Sequence, residues 1–111
     1  MTADSNVVTI VGRLTKDAEL KPADMPVGFF TIASNRKKKD AGGNFVEEAS
    51  FFDINVCGKY AVTIIPSLKK GMQVCVTGSL KQERWTDKTG QNKSRVVITA
   101  GSIQIFGGII L

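Results

Sequence analysis

The 111 residues contain no histidine, only two cysteines, three prolines and a single tryptophan. Without histidine the chain lacks the side chain that most often moves protons near neutral pH. Cys57 and Cys75 lie inside apolar runs, and two thiols with no imidazole are too few soft ligands for a structural zinc site; both are expected to be buried thiols. No Gly-rich loop ends in Gly-Lys-Ser/Thr, and there is no Gly-x-Ser-x-Gly elbow. Glu47, Glu48, Glu83 and Asp87 are acids of the kind that hold magnesium, but their spacing singles out no site. Neither catalysis nor a cofactor is expected. No apolar run approaches the roughly 20 residues that span a bilayer. The start, MTADSNVVTIVG, lacks the basic region and long apolar stretch of a signal peptide, so the expectation is a cytoplasmic protein with no membrane partner.

Acidic residues are scarce in the second half. Residues 1–55 carry seven Lys and Arg against eight Asp and Glu, whereas residues 56–111 carry eight against two, which accounts for the net charge of +5. Such an excess suits an anionic partner. At 42% hydrophobic and 23% charged, the chain has the composition of a folded globular protein, and its length fits one domain over residues 1–111.

The dominant hydrophobic period is two, the repeat of half-buried strands. A first strand is expected over 7–14, with Gly12 allowing a bulge or bend, and a second over 27–34. Between them Lys16 to Pro26, with two prolines and mixed charges, reads as a loop or irregular edge. Asn35 to Gly43 joins Arg36-Lys37-Lys38-Lys39 to Asp40-Ala41-Gly42-Gly43 and reads as a basic hairpin tip. In a third strand over 50–58, alternation puts Phe52, Ile54 and Val56 in the core and leaves Phe51, Asp53, Asn55 and Cys57 on the other face. Ala61, Ile64, Ile65 and Leu68 fit one face of a short helix over 59–68, kinked or cut by Pro66. A fourth strand over 72–85, broken by Gly78, sets Val74, Val76 and Leu80 on one face; a turn at 86–91 leads to a fifth strand over 94–106. The fold class is therefore all-β with one short helix. Three strands, a short helix and two long strands form the chain order of a five-stranded OB-fold barrel, here with long β-hairpins.

Trp85 stands among Lys81, Arg84, Lys88, Lys93 and Arg95. An aromatic ring beside cations suits a single-stranded nucleic acid, because every base offers a π-face and every phosphate a negative charge. The opposing reading packs Trp85 against a neighbouring strand or subunit, and Phe51 against a loop edge. Arg36 to Lys39 read as a solvated tip, as most such runs are, or, with Lys59, Lys69, Lys70 and Arg84, as part of a cationic surface.

Several strings in order resemble one family: Val11-Gly12-Arg13-Leu14-Thr15-Lys16-Asp17, Phe30-Thr31-Ile32-Ala33, Gly58-Lys59, Leu68-Lys69-Lys70-Gly71, Val76-Thr77-Gly78-Ser79-Leu80 and Arg84-Trp85-Thr86-Asp87-Lys88-Thr89-Gly90. From about Asn6 to Gly107 the chain is similar to the DNA-binding core of bacterial single-stranded DNA-binding protein. The resemblance implies an OB-fold without cofactor, a homotetramer wrapped by single-stranded DNA, and service in replication, recombination and repair at the nucleoid. It implies base stacking by Trp85 and Phe51, basic contacts from Lys59, Lys70 and Arg84, and a mobile hairpin carrying Arg36, Lys37, Lys38 and Lys39. Lys38 and Cys57 stand where the family often has aromatics, which implies a binding mode that relies more on charge and is more sensitive to salt. The family usually continues into a flexible tail with an acidic tip that recruits replication and repair proteins. This chain stops at Phe106-Gly107-Gly108-Ile109-Ile110-Leu111, so recruitment is expected only where such a tail exists. The alternatives are an OB-type RNA-binding or primosomal accessory protein, and a structural oligomer with Phe51 and Trp85 in its interfaces.

Overall fold

A computed structural model describes residues 4–106. The elements are β1 (Val8–Leu14), β2 (Glu19–Lys21), β3 (Val27–Lys39), β4 (Phe45–Cys57), α1 (Lys59–Ile64) with a 3-10 turn at Ile65–Ser67, β5 (Gln73–Thr86) and β6 (Asn92–Ile105). The sheet runs β1-β5-β6-β4-β3-β2, and β1 also pairs with β3 through Arg13–Ala33 and Leu14–Ile32. That last pairing closes β1, β5, β6, β4 and β3 into a five-stranded barrel, an OB-fold, with the β4–β6 pair parallel and the others antiparallel.

Alternation fills the barrel. Ile32 of β3, Ile54 and Val56 of β4, and Val74 and Val76 of β5 are fully buried, with Leu68 closing one end behind α1. Burial of each such side chain contributes roughly 1.5–3 kcal/mol. Phe52, on the same face of β4, packs against this core. Two glycines let the barrel close. At Gly12 a Cβ would stand 2.7 Å from the Ala33 carbonyl oxygen, and at Gly78 it would run into that of Thr99. Both positions are therefore barred to larger residues by a neighbouring backbone, and the register shift between Thr77 and Gly78 marks the bend of β5.

The helix expected over 59–68 is two pieces, because Pro66 has no N–H to continue an α-helix and instead sits in the first turn of the 3-10 segment. Several other details differ from the expected elements. The strands expected over 27–34 and 50–58 extend to Lys39 and back to Phe45, so Arg36 to Lys39 belong to a strand and only Asp40 to Asn44 form the tip. Cross-strand charge contributes: Arg36 and Lys38 both reach Glu48 across the ladder past the barrel wall. Leu80, on the same alternation face as Val74 and Val76, is 48% exposed because β5 beyond the bend leaves the barrel as a hairpin with β6. Cys57 is exposed and Cys75 half-buried, since both point outward from their strands. Glu19–Lys21, inside the stretch read as a loop or irregular edge, adds a short strand to the edge of β3. The apolar end Ile109-Ile110-Leu111 lies outside the described residues.

Candidate nucleic-acid interface

Two long hairpins carry the outward surface. In an antiparallel pair, residues directly opposite share a face, so the β3–β4 register assigns every side chain. Phe29–Asn55, Thr31–Asp53, Ala33–Phe51, Lys37–Glu47 and Lys39–Phe45 fall on one face; Arg36–Glu48 and Lys38–Val46 fall on the other. Phe51 is 65% exposed, with only the small Ala33 opposite it. Farther out, the Lys39 ammonium sits 5.5 Å from the centre of the Phe45 ring, a cation–π contact that leaves Phe45 exposed.

The same alternation divides the basic quartet. Lys37 and Lys39 share the face of Phe51 and Phe45, and among the described residues no carboxylate lies within ion-pair distance of either. Arg36 and Lys38 turn to the opposite face and share one partner: Arg36 Nη2 is 3.0 Å from Glu48 Oε1 and Lys38 Nζ 3.5 Å from Glu48 Oε2.

On the β5–β6 hairpin, Trp85–Lys93, Glu83–Arg95 and Lys81–Val97 form one face, and Trp85 is 46% exposed. Arg84 lies on the other, its guanidinium donating to Gln82 Oε1 at 3.2 and 2.7 Å. Arg95 joins the two hairpins. Its Nε donates to Glu83 Oε1 at 2.9 Å, its Nη1 stands 3.6 Å from Asp53 Oδ2, and Asp53 Oδ1 accepts from Thr31 Oγ1 at 2.8 Å. The Trp85 face and the Phe51 face are thus tied into one surface. Ion pairs this exposed are worth only about 0–1 kcal/mol each, so the link orients the hairpin more than it stabilises the fold.

Lys59 follows the outward row Phe51-Asp53-Asn55-Cys57 two residues beyond its end, and is exposed. Lys70 is exposed, its backbone N–H held by Asp17 Oδ1 at 2.8 Å. Both hairpin tips are built on an aspartate: Asp40 Oδ1 accepts from the backbone N–H of Gly42 and Asn44, and Asp87 Oδ1 from the N–H of Thr89 and Gln91 and from Thr89 Oγ1. The Thr89 hydroxyl, foremost, and these amides hold the Asp87 carboxyl below the ordinary carboxylate range.

Phe29 at 40% exposure and Phe106 are exposed aromatics not singled out in the sequence as surface rings, and Phe45, whose place the sequence leaves open, is exposed as well. For Phe29 a signal existed: in Phe29-Phe30, as in Phe51-Phe52, consecutive strand residues must face opposite ways, so one ring of each pair lies outside. Among the described residues, no group of three or more Cys, Asp or Glu side chains could hold a metal ion. No helix there is long and apolar enough to cross a membrane.

The profile of the single-strand binding protein family matches residues 5–106. The chain belongs to the single-strand binding protein family. It is 44% identical over 110 residues to the single-stranded DNA-binding protein of Treponema pallidum (strain Nichols), covering 97% of this chain and 61% of that protein. To the single-stranded DNA-binding protein of Wolinella succinogenes it is 38% identical over 102 residues, 90% of this chain and 63% of the relative; to that of Aquifex aeolicus, 41% over 102 residues, 90% and 69%. The chain spans about three-fifths of the length of the first two. Two solved structures share the barrel. A deletion mutant of the single-stranded DNA binding protein from Thermus aquaticus superposes with a TM-score of 0.83 at 22% identity, over 95% of this chain and 52% of that one. A Plasmodium falciparum SSB in complex with ssDNA gives 0.84 at 23%, over 96% and 99%.

Proposed function

We propose that this family member binds and protects single-stranded DNA without strong sequence preference, in replication, recombination and repair. The observation that carries the reading is the joining of the exposed Phe51 and Trp85 faces through Arg95 and Asp53, with Lys37, Lys39 and Lys93 beside the rings. Bases stack on Phe51 and Trp85, with Phe45 and Phe29 as further rings. Phosphates are held by Lys37, Lys39, Lys59 and Lys70; Arg36, Lys38 and Arg84 serve the reverse faces of the hairpins, where a strand wrapping round the particle would meet them. Membership in a family whose relatives are called single-stranded DNA-binding proteins supports this partner. The site of action would be the nucleoid.

The homotetramer is proposed on the same footing. β1 is bonded to β5 along its length, but on its other side, among the described residues, only Arg13 and Leu14 pair. An open strand edge flanked by exposed Val7 and Val11 suits a second subunit. Recruitment of replication and repair proteins through an acidic tail is proposed only for a longer form of the protein.

Trp85 is the only tryptophan, so its fluorescence reports the site directly. Titration with oligo-dT, matched duplex and RNA is expected to give strong quenching by oligo-dT and little by duplex, with affinity falling as salt rises. RNA bound as tightly as DNA would favour an RNA-binding protein; emission indifferent to every strand at low salt would leave a structural oligomer.

A further inference from the structure

We propose that Asn6 is a positioning residue for strand binding: its side-chain amide clamps the root of the β5–β6 hairpin and so fixes where Trp85 is held. The inference rests on the single-strand reading above for what Trp85 does, and adds the part of the chain that places it.

β5 pairs with β1 as far as Val8–Gly78. Past that point no strand among the described residues pairs with the same edge of β5, while β6 accompanies the other edge out to Asn92. Continuing the register would set Asn6 opposite Leu80. The side chain of Asn6 makes that rung: Nδ2 donates to the Leu80 carbonyl oxygen at 2.8 Å, and Oδ1 accepts from the Leu80 N–H at 2.9 Å. A short amide presents a donor and an acceptor side by side, as the backbone of a paired strand does. Serine offers a single oxygen, aspartate would set a carboxylate against the carbonyl, and glutamine is longer by a methylene. Packing does little to hold the same point, because the Leu80 side chain is 48% exposed and the bend itself is a glycine, Gly78.

The clamp matters through leverage. A strand rises about 3.3 Å per residue, so Trp85, five residues beyond Leu80, stands roughly 17 Å along the hairpin, and a tilt of about 10° at the root carries the ring about 3 Å. That is comparable to the thickness of one stacked base. Arg95, through Asp53, ties β6 to β4, whereas Asn6 ties β5 to the start of β1. The hairpin thus has one tie on each of its strands, and loss of either leaves the ring less closely placed relative to Phe51. Because Asn6 is exposed, water replaces its lost bonds and the barrel itself is little affected.

Time-resolved fluorescence anisotropy of Trp85, the only tryptophan, measures its local motion in the free protein, and the slow tumbling component of the same decay reports whether the particle stays folded. Asn6→Ala and the near-isosteric Asn6→Asp are both expected to increase the local nanosecond motion without changing the tumbling. Binding is then measured with fluorescein-labelled oligo-dT for the wild type, Asn6→Ala, Trp85→Ala and the double variant. Asn6→Ala is expected to weaken binding about fivefold, the equivalent of one net intramolecular hydrogen bond, with an unchanged salt slope. In the Trp85→Ala background the same substitution is expected to have no effect, because its action passes through the ring. Trp85 motion unchanged in both Asn6 variants, or a binding loss that persists without Trp85, overturns the clamp while leaving strand binding intact. Failure of the wild-type protein to bind any strand removes the single-strand reading, and the anisotropy of the free protein still decides the clamp.

Discussion

Glu48 is a carboxylate whose removal should strengthen DNA binding. It neutralises one of the two charges of Arg36 and Lys38, standing 3.0 and 3.5 Å from them, so that side of the β3–β4 hairpin presents a net charge near +1 instead of +2. For a single strand the slope of log affinity against log salt changes by about −0.7 for each phosphate neutralised, so one such contact weakens binding about 2.6-fold between 50 and 200 mM salt. Glu48→Gln keeps the shape and hydrogen-bonding oxygen of the side chain while freeing one positive charge. It is expected to raise affinity at low salt and steepen the slope by about 0.7. Lys37→Ala and Lys39→Ala, on the face with Phe51 and without an ion-pair partner among the described residues, are each expected to flatten the slope by about 0.7, and Arg36→Ala and Lys38→Ala by clearly less. The assay is titration of Trp85 fluorescence with oligo-dT across that salt range. A slope unmoved by Glu48→Gln, or equal losses from all four basic residues, would refute the assignment of the quartet to two faces.

Trp85→Ala and Phe51→Ala are each expected to weaken oligo-dT binding by about 1–3 kcal/mol with an unchanged salt slope, since stacking involves no counterions; for Trp85→Ala, which removes the fluorophore, the measurement is calorimetric. Ile54→Ala, at a fully buried barrel position, is expected to lower stability by about 2–5 kcal/mol in urea unfolding. Asp87 provides a pH test. Because its folded pKa is depressed, its contribution is present above the ordinary carboxylate range and is lost as pH falls through the folded value. Backbone amide signals of Thr89 and Gln91 should therefore shift together on acidification, and Asp87→Asn should remove that titration.

The barrel was legible because its determinants are local. Period-two runs marked the β1, β3, β4, β5 and β6 segments, Pro66 warned that the helix would break, and Gly12 and Gly78 stood where neighbouring backbones come closest. What escaped depends on how far pairing continues. The strands were ended near the barrel wall, where hydrophobic alternation stops, but Arg36 and Lys38 both reach Glu48 across a ladder that continues to Phe45. Leu80 is exposed for a related reason: alternation gives its face but not the depth of packing, and past the shift at Thr77 and Gly78 β5 leads out of the barrel into a hairpin. The resemblance named the proposed stacking positions Phe51 and Trp85, yet only the register separates the cations beside those rings from the cations behind them.

Strand geometry also explains how a chain can carry acids on a surface proposed to hold a polyanion. Side chains alternate with period two, so a basic run on a strand cannot place all its charges on one face, and the residues turned away need partners of their own. Glu48 meets that need for Arg36 and Lys38. Asp53 plays a different part, because it lies on the same face as Phe51 and would repel phosphate if left alone. Arg95 cancels that charge, and in doing so fixes the Trp85 hairpin against β4. Removing either partner therefore acts on two quantities at once, the local charge and the spacing of the stacking rings. Arg95→Ala is expected to weaken binding by more than the loss of one phosphate contact, because it exposes an unbalanced Asp53 and releases the hairpin that carries Trp85; Asp53→Ala together with Arg95→Ala should recover part of that loss. Recovery in the double variant would show that the pair works as an electrostatic link, whereas strictly additive losses would mean that Arg95 contacts DNA independently of Asp53.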